Sequence, residues 1–185
     1  IGAAVLLADR PARRFRLAAP GRVPEVVHAR VEGSIRSRHR RDLSGDRLEL
    51  WRESTRKGAQ SAELGNWDDA IAYFQAALAI DPDYADSHFR LATALENAGQ
   101  LQQARTHYQR ALDLDALRFR TDTKINQIIQ QVATRIGKDA FSFVDSAAAF
   151  EQASQPFQPG WNLFLEHVHY DFAGTNIIAS EVARS

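Results

Sequence analysis

The 185-residue sequence contains neither cysteine nor methionine. Without cysteine, the chain can form no disulfide framework, no cysteine nucleophile and no cysteine-based metal site. This absence fits a reducing compartment, so we expect a cytoplasmic location. The first residue is Ile1 rather than an initiator methionine, and we therefore expect the N-terminus to be truncated.

Long apolar segments are also missing. No apolar run approaches the roughly 18 residues that a membrane-spanning helix requires, so we expect no membrane partner. The composition, 44% hydrophobic and 25% charged, is typical of a soluble globular protein. No phosphate-binding glycine loop, dinucleotide fingerprint or zinc-finger spacing occurs, and we predict no cofactor.

Charge is balanced overall but unevenly distributed. Residues 1–50 contain 11 arginines and 6 acids, whereas the rest contains 12 basic and 17 acidic residues. A basic arm can contact nucleic acid or an acidic surface, but a solvated or disordered segment is the favoured interpretation. We therefore predict no nucleic-acid partner. The segment 1–47 is interpreted as a strand over 2–8, or a remnant of a signal-peptide core, followed by a basic, mostly irregular region.

The strongest pattern in the chain is a repeat with a period of 34 residues. Five positions recur at this spacing: Gly65, Ala70, Phe74, Ala77 and Leu78 return as Gly99, Ala104, Tyr108, Ala111 and Leu112. A fixed period of this size indicates an array of helical hairpins, and the segment resembles tetratricopeptide repeats. We assign two such repeats to residues 48–116.

The repeated residue types have clear structural roles. The glycines suit a helix-to-helix turn that requires positive φ, the alanines allow close helix approach, and Phe74 and Tyr108 fill the space between repeats. Asp81-Pro82 closes the first repeat because proline cannot continue a helix. The predicted helices span about 48–64, 67–80, 84–97 and 101–114.

The resemblance implies a concave groove lined by the first helix of each repeat. By position, the groove residues are Arg52, Thr55 and Ala59 from repeat one, and Asp86, Phe89, Thr93, Glu96 and Asn97 from repeat two. This set is too acidic and mixed to grip a C-terminal carboxylate, which needs several Lys, Arg and Asn. It indicates a protein partner that presents a peptide or helix. Two repeats are too few to bury their own faces, so they are expected to pack against the rest of the protein.

Residues 117–185 show a different pattern. An apolar face with spacings of three and four predicts a helix over 121–136, ended by Gly137. A strand is predicted over 140–145, a short helix over 147–153, an extended segment over 164–169 and a closing helix over 174–184. This order is typical of the end of an α/β domain. The expected fold is therefore mainly α, with two repeat hairpins followed by the C-terminal part of an α/β domain.

Candidate chemistry lies at Glu166-His167-Val168-His169, ahead of the last helix. An acid three residues before a histidine, with Gly174 opening the final helix, resembles the last sequence block of the SGNH (GDSL-type) hydrolases. The resemblance covers about 117–185 and implies that His169 is the general base and Glu166 the carboxylate that orients it. It also implies an ester substrate.

The nucleophile block of that family, Gly-Asp-Ser, does not occur in this chain, nor does its Gly-x-Asn-Asp motif. The resemblance therefore implies the C-terminal fragment of a serine esterase, and this chain by itself is expected to be almost inactive. The alternative function is a non-catalytic repeat scaffold that binds a peptide or helix.

The same histidines have other interpretations. On an extended segment, His167 and His169 point the same way, and with Glu166 or Asp171 they could bind zinc or another divalent ion. No third ligand is specified, so we predict no metal site. The histidines can also be ordinary surface or capping residues.

Overall fold

The computed structural model describes residues 39, 43–116, 121–136, 142–165 and 169–185. Within these ranges the chain forms seven α-helices and no β-strand. The helices are α1 (Gly45–Glu63), α2 (Trp67–Ile80), α3 (Ala85–Asn97), α4 (Leu101–Leu114), α5 (Thr123–Ile136), α6 (Ser146–Ala153) and α7 (Phe172–Arg184). None of the described helices is long and apolar enough to cross a bilayer. The described residues belong to two compact units, residues 39–116 and residues 121–185.

The first unit is built from two helical hairpins. Helix α1 packs on α2, α2 on α3, and α3 on α4. The turns inside the two hairpins contain Gly65 with φ 74° and Gly99 with φ 77°. This left-handed conformation strains any residue with a Cβ, which explains why glycine recurs with the repeat. The four helices predicted from the 34-residue period are confirmed.

Small residues at the helix contacts let the hairpins pack closely. The four repeated alanines, Ala70, Ala77, Ala104 and Ala111, are all buried. In repeat one, the ring of Phe74 fills the contact between α1 and α2: a Cβ added at Gly58 would lie 2.7 Å from its Cε1 atom. Such a separation is far shorter than van der Waals contact, so this contact requires glycine.

Asp81 ends the first repeat and connects it to residue 39. Helix α2 stops at Ile80, and the side chain of Asp81 is fully buried. Its Oδ2 atom lies 2.9 Å from Nδ1 of His39. The His39 ring stacks on Tyr84 and meets Trp51 edge-on, each with a centroid separation of 4.4 Å. Trp51 is therefore a packing residue.

The second unit begins with α5, the amphipathic helix predicted over 121–136. Its existence is confirmed, and its bounds agree with the prediction within two residues. None of its described side chains is buried, and Ile128, Val132 and Ile136 are exposed. The apolar face expected from the sequence is thus present on the helix, and three of its side chains are exposed.

The strand predicted over 140–145 is wrong in its described part. Residues 142–145 lie outside any ladder, and Asp145 instead caps α6 by accepting a hydrogen bond from Ala148 N at 3.0 Å. The amide of Gln130 donates to the other oxygen of Asp145 at 2.7 Å. The backbone N–H and C=O groups of a strand need hydrogen-bond partners on a neighbouring strand, and no such strand occurs among the described residues.

The described ends of the extended segment predicted over 164–169 pair with each other, and we call these paired ends the hairpin. A single antiparallel bridge joins Phe164 to Tyr170, and the amide of Leu165 donates to the carbonyl of His169 at 2.8 Å. The rings of Phe150, Phe164 and Tyr170 form a compact aromatic core below it, with centroids 5.2–5.4 Å apart.

Helix α7 contacts this hairpin at Gly174. A Cβ on Gly174 would lie 2.4 Å from the carbonyl oxygen of Leu163. The helix therefore approaches the hairpin backbone as closely as a glycine allows. The predicted closing helix is confirmed and starts two residues earlier than expected, at Phe172, with Asp171 as its N-cap.

Several predictions lie outside the described residues. They are the strand over 2–8, most of the basic segment before residue 48, the stretch 117–120, Gly137 and the pair Glu166 and His167.

Candidate functional site

The predicted groove residues of repeat two form one stripe on helix α3. Thr93 follows Phe89 by four residues, and Glu96 and Asn97 follow Thr93 by three and four residues, which places all four on one side of the helix. Two side chains of this stripe bond to the backbone of their own helix. The Thr93 hydroxyl donates to the carbonyl of Phe89 at 3.1 Å, and the side-chain amide of Asn97 donates to the carbonyl of Thr93 at 2.8 Å.

Tyr108, from helix α4, completes this site. Its ring lies 5.5 Å from that of Phe89 at a tilt of 59°, a favourable geometry for two aromatic side chains. Its hydroxyl lies 3.3 Å from the hydroxyl of Thr93 and is close enough to the carboxylate of Glu96 to affect its pKa. Burial raises the pKa of Tyr108 well above its ordinary value, so the phenol stays protonated and remains a donor.

Glu96 is the charged residue of this site. Burial raises its pKa above the ordinary glutamate value, and the hydrogen bond from Tyr108 opposes this shift. No ion pair to Glu96 is found among the described residues. We call the five residues Phe89, Thr93, Glu96, Asn97 and Tyr108 the repeat-two cluster.

The remaining predicted groove residues do not join the cluster through side-chain bonds. Arg52 is exposed and pairs with Glu49 on its own helix. Asp86 accepts a hydrogen bond from Nε of Arg90, one turn further along α3, at 2.7 Å. Thr55 is half-buried, and its hydroxyl makes no hydrogen bond within the described part of the chain.

Sequence reasoning assigned Tyr108 to packing alone and missed its polar role. A comparison of the two repeats could have indicated this role, because the residue equivalent to Tyr108 in repeat one is Phe74, which has no hydroxyl. A buried tyrosine hydroxyl normally finds a hydrogen-bond partner, and Glu96 is one turn from Thr93 on the facing helix.

A second polar pair, which the sequence analysis also missed, joins α3 to α4. Nδ1 of His88 lies 2.9 Å from Nδ1 of His107, and the two rings stack with centroids 5.2 Å apart. Nε2 of His88 lies 2.9 Å from the carbonyl of Pro82 and must donate to it. In the neutral pair, Nδ1 of His88 is therefore the acceptor and Nδ1 of His107 the donor. Burial lowers the pKa of both imidazoles, and their mutual proximity lowers that of His107 further.

Only one member of the predicted catalytic pair lies among the described residues. His169 is exposed, and its backbone carbonyl is held by the hairpin bond from Leu165. Asp171 accepts a hydrogen bond from the amide of Gly174 at 2.8 Å, so its carboxylate caps α7. Glu166 lies outside the described residues, and its pairing with His169 stays a prediction. Within the described ranges, no group of three potential metal ligands occurs.

Comparison with known proteins supports the assignment of helical repeats to this chain. The tetratricopeptide repeat family matches residues 61–120. A comparison with curated proteins found no match. The family match agrees with the 34-residue period and with the four packed helices, so the segment is similar to tetratricopeptide repeats in both sequence and structure. The match does not extend to residues 121–185.

Proposed function

We propose that this chain is a protein-interaction module that holds a peptide or short helix of a partner against the first helices of its two repeats, α1 and α3. One observation carries the proposal: Phe89 is half-buried at a predicted groove position and packs on Tyr108 beside polar side chains. Aromatic residues that are partly covered and flanked by hydrogen-bonding groups are the usual anchors of protein interfaces.

The surroundings of Phe89 support this role. Thr93, one turn along the helix, is buried, whereas Glu96 and Asn97 are half-buried. A stripe that passes from an aromatic ring to amide and carboxylate groups suits a peptide, which presents both apolar side chains and backbone polar groups. Arg52, exposed on α1, provides a cation for an acidic group of the same partner.

The experiment is a display selection of random peptides on the chain, followed by affinity measurements on one enriched peptide. Phe89→Ala should weaken binding at least about tenfold, as expected for an interface anchor, while Arg52→Ala should have a smaller effect. Gln102→Ala, an exposed change on α4, is the matched control. Undiminished binding by both groove variants would contradict the proposal, and circular dichroism checks that each variant is folded.

A second candidate function is ester hydrolysis, for which the hairpin at Phe164 and Tyr170 is the favouring observation. The bridge between these residues and the close packing of Gly174 hold the backbone of His169 in place while its side chain is exposed. A general base needs such fixed positioning. On this candidate, Glu166 orients His169 and the repeats control access of the ester.

The test is hydrolysis of p-nitrophenyl acetate by a longer protein that contains both this chain and a Gly-Asp-Ser nucleophile block, since this sequence has none. His169→Ala should lower kcat/KM at least about a hundredfold, the usual effect of losing a general base. Asn176→Ala, an exposed change on α7, should leave the rate unchanged. Equal rates for the His169 variant and the parent protein would eliminate the candidate.

A further inference from the structure

Glu96 differs from the other charged residues at the predicted groove positions. Arg52 is compensated by Glu49, and Asp86 by Arg90. Glu96 instead lies one turn beyond Thr93, whose hydroxyl is 3.3 Å from the neutral hydroxyl of Tyr108, and no ion pair to Glu96 occurs among the described residues. The groove therefore contains a partly buried carboxylate whose charge no described side chain balances.

This arrangement is unfavourable for the free protein. Burial of a carboxylate costs free energy unless its charge is paired and its oxygens accept hydrogen bonds. A carboxylate has about four acceptor sites, and Tyr108 has one hydrogen to donate. Glu96 therefore has unused capacity for a charged donor that comes from outside the described chain.

The apolar part of the cluster fits the rest of such a ligand. Phe89 and Tyr108 present two tilted rings within two turns of Glu96 on the same surface. The methylene stem of a lysine or arginine packs well on aromatic rings while its cationic end reaches a carboxylate, and the rings themselves attract the cation. A charge-assisted hydrogen bond to Glu96 would be stronger than a neutral one.

We propose that the groove recognises its partner peptide by a lysine or arginine side chain, whose stem packs on Phe89 and Tyr108 and whose cation pairs with Glu96. The inference rests on the proposed function and specifies the chemistry of the partner. It also locates the site in repeat two alone. At the equivalent positions, 34 residues earlier, repeat one has Thr55 in place of Phe89 and Ala62 in place of Glu96.

The experiment compares display selections of random peptides on the parent chain and on Glu96→Gln, which keeps the size of the side chain and removes its charge. Asp69→Asn is the matched control, since it removes one exposed negative charge from α2. The parent chain and the control should enrich peptides that share a lysine or arginine at one aligned position, and Glu96→Gln should lose this preference.

A double-mutant cycle on one enriched peptide then measures the pairing directly. Replacing the aligned basic residue by norleucine should weaken binding to the parent chain at least about tenfold, in line with a charge-assisted hydrogen bond. The same replacement should change binding to Glu96→Gln by less than about twofold, because the charged partner is already lost.

The outcomes separate this inference from the function on which it rests. Enriched peptides without an aligned basic residue, or a norleucine effect that is equal in both chains, would overturn the cation site and leave peptide binding intact. If the parent chain enriches no peptide at all, both proposals fail. Loss of folding does not confuse the result, because removing an unbalanced buried charge should not destabilise the chain.

Discussion

The two repeats share a backbone but differ in what their equivalent side chains do. In repeat one, Gly58 and Phe74 form a purely apolar contact so close that it has no room for a methyl group. In repeat two, the equivalent residues are Ala92 and Tyr108, and the tyrosine hydroxyl lies 3.3 Å from that of Thr93 and close to Glu96. The first hairpin is thus specialised for packing, whereas the second contains polar groups that packing alone does not require.

The histidines extend this difference. His88 and His107 bridge α3 and α4 in repeat two, whereas the equivalent residues of repeat one are Ser54 and Tyr73. Ser54 donates to a carbonyl of its own helix, that of Leu50, at 2.8 Å. A repeat can therefore keep its packing residues constant while the residues beside them change, and in repeat two these residues include two titratable rings that face each other.

The largest expected effect concerns the apolar contact of repeat one. Gly58→Ala should lower the free energy of unfolding by about 1–3 kcal/mol, because the new methyl group would overlap the buried ring of Phe74. Urea denaturation measures the loss. In a Phe74→Leu background the smaller side chain makes room, so the same substitution should become nearly neutral. A loss of the same size in both backgrounds would show that the ring is not its cause.

A smaller effect of opposite sign is expected in repeat two. Glu96→Gln should raise the free energy of unfolding at pH 7 by about 0.5–2 kcal/mol, the range of typical single stabilising changes. Because the pKa of Glu96 is raised in the folded state, its stabilising contribution is present below the ordinary value of 4.5 and is lost as the pH rises through the folded value. The advantage of glutamine should therefore shrink toward pH 4.

Urea midpoints at pH 4 and pH 7 check this prediction for the parent chain, Glu96→Gln and Asp69→Asn. The exposed aspartate variant should stay within about 0.5 kcal/mol of the parent at both values. A destabilised Glu96→Gln at pH 7 would mean that the charge of Glu96 contributes to folding and is not kept for a ligand.

The smallest expected effect concerns how steeply the free energy of unfolding changes with pH. His88 and His107 have pKa values below the ordinary 6.5, so the unfolded chain binds more protons than the folded chain as the pH falls below that value. Stability should therefore decrease between about pH 6.5 and pH 5. Protonation of both rings would also place two N–H groups against each other across 2.9 Å.

The charged groups beside this pair are Asp83 and Arg110, which are joined to each other at 2.7 Å and influence His88 in opposite directions. Urea midpoints from pH 5 to pH 8 measure the slope, and His107→Gln should reduce it. An unaltered slope in the His107 variant would exclude the pair as its origin.

Much of the helical architecture could be predicted from the sequence, because its signals are local. Gly65 and Gly99 occupy turns that require positive φ, and Pro82 cannot continue the helix that precedes it. Where a signal needed a distant partner, prediction failed. The carboxylate of Asp83, for example, pairs with Arg110, 27 residues further along the chain, and no local pattern indicates this contact.

The strand expected over 140–145 failed for the same reason. Its alternation of apolar and polar residues satisfies the local pattern of a strand, but a strand also needs hydrogen-bond partners from another part of the chain. In the structure Asp145 bonds to Ala148 and Gln130, so the segment leads directly into α6. The predicted groove positions on α3 stay a prediction, and the contact that Tyr108 makes from α4 was not predicted.

The sequence by itself determined the period, the helix boundaries and the small residues of the repeats, since each depends on backbone conformation within a few residues of the chain. Only the tertiary structure decided which polar groups meet. The contacts between Glu96 and Tyr108, and between His88 and His107, depend on how α3 packs against α4. Such contacts form between residues that local pattern does not connect, and the burial that accompanies them changes the protonation of each group.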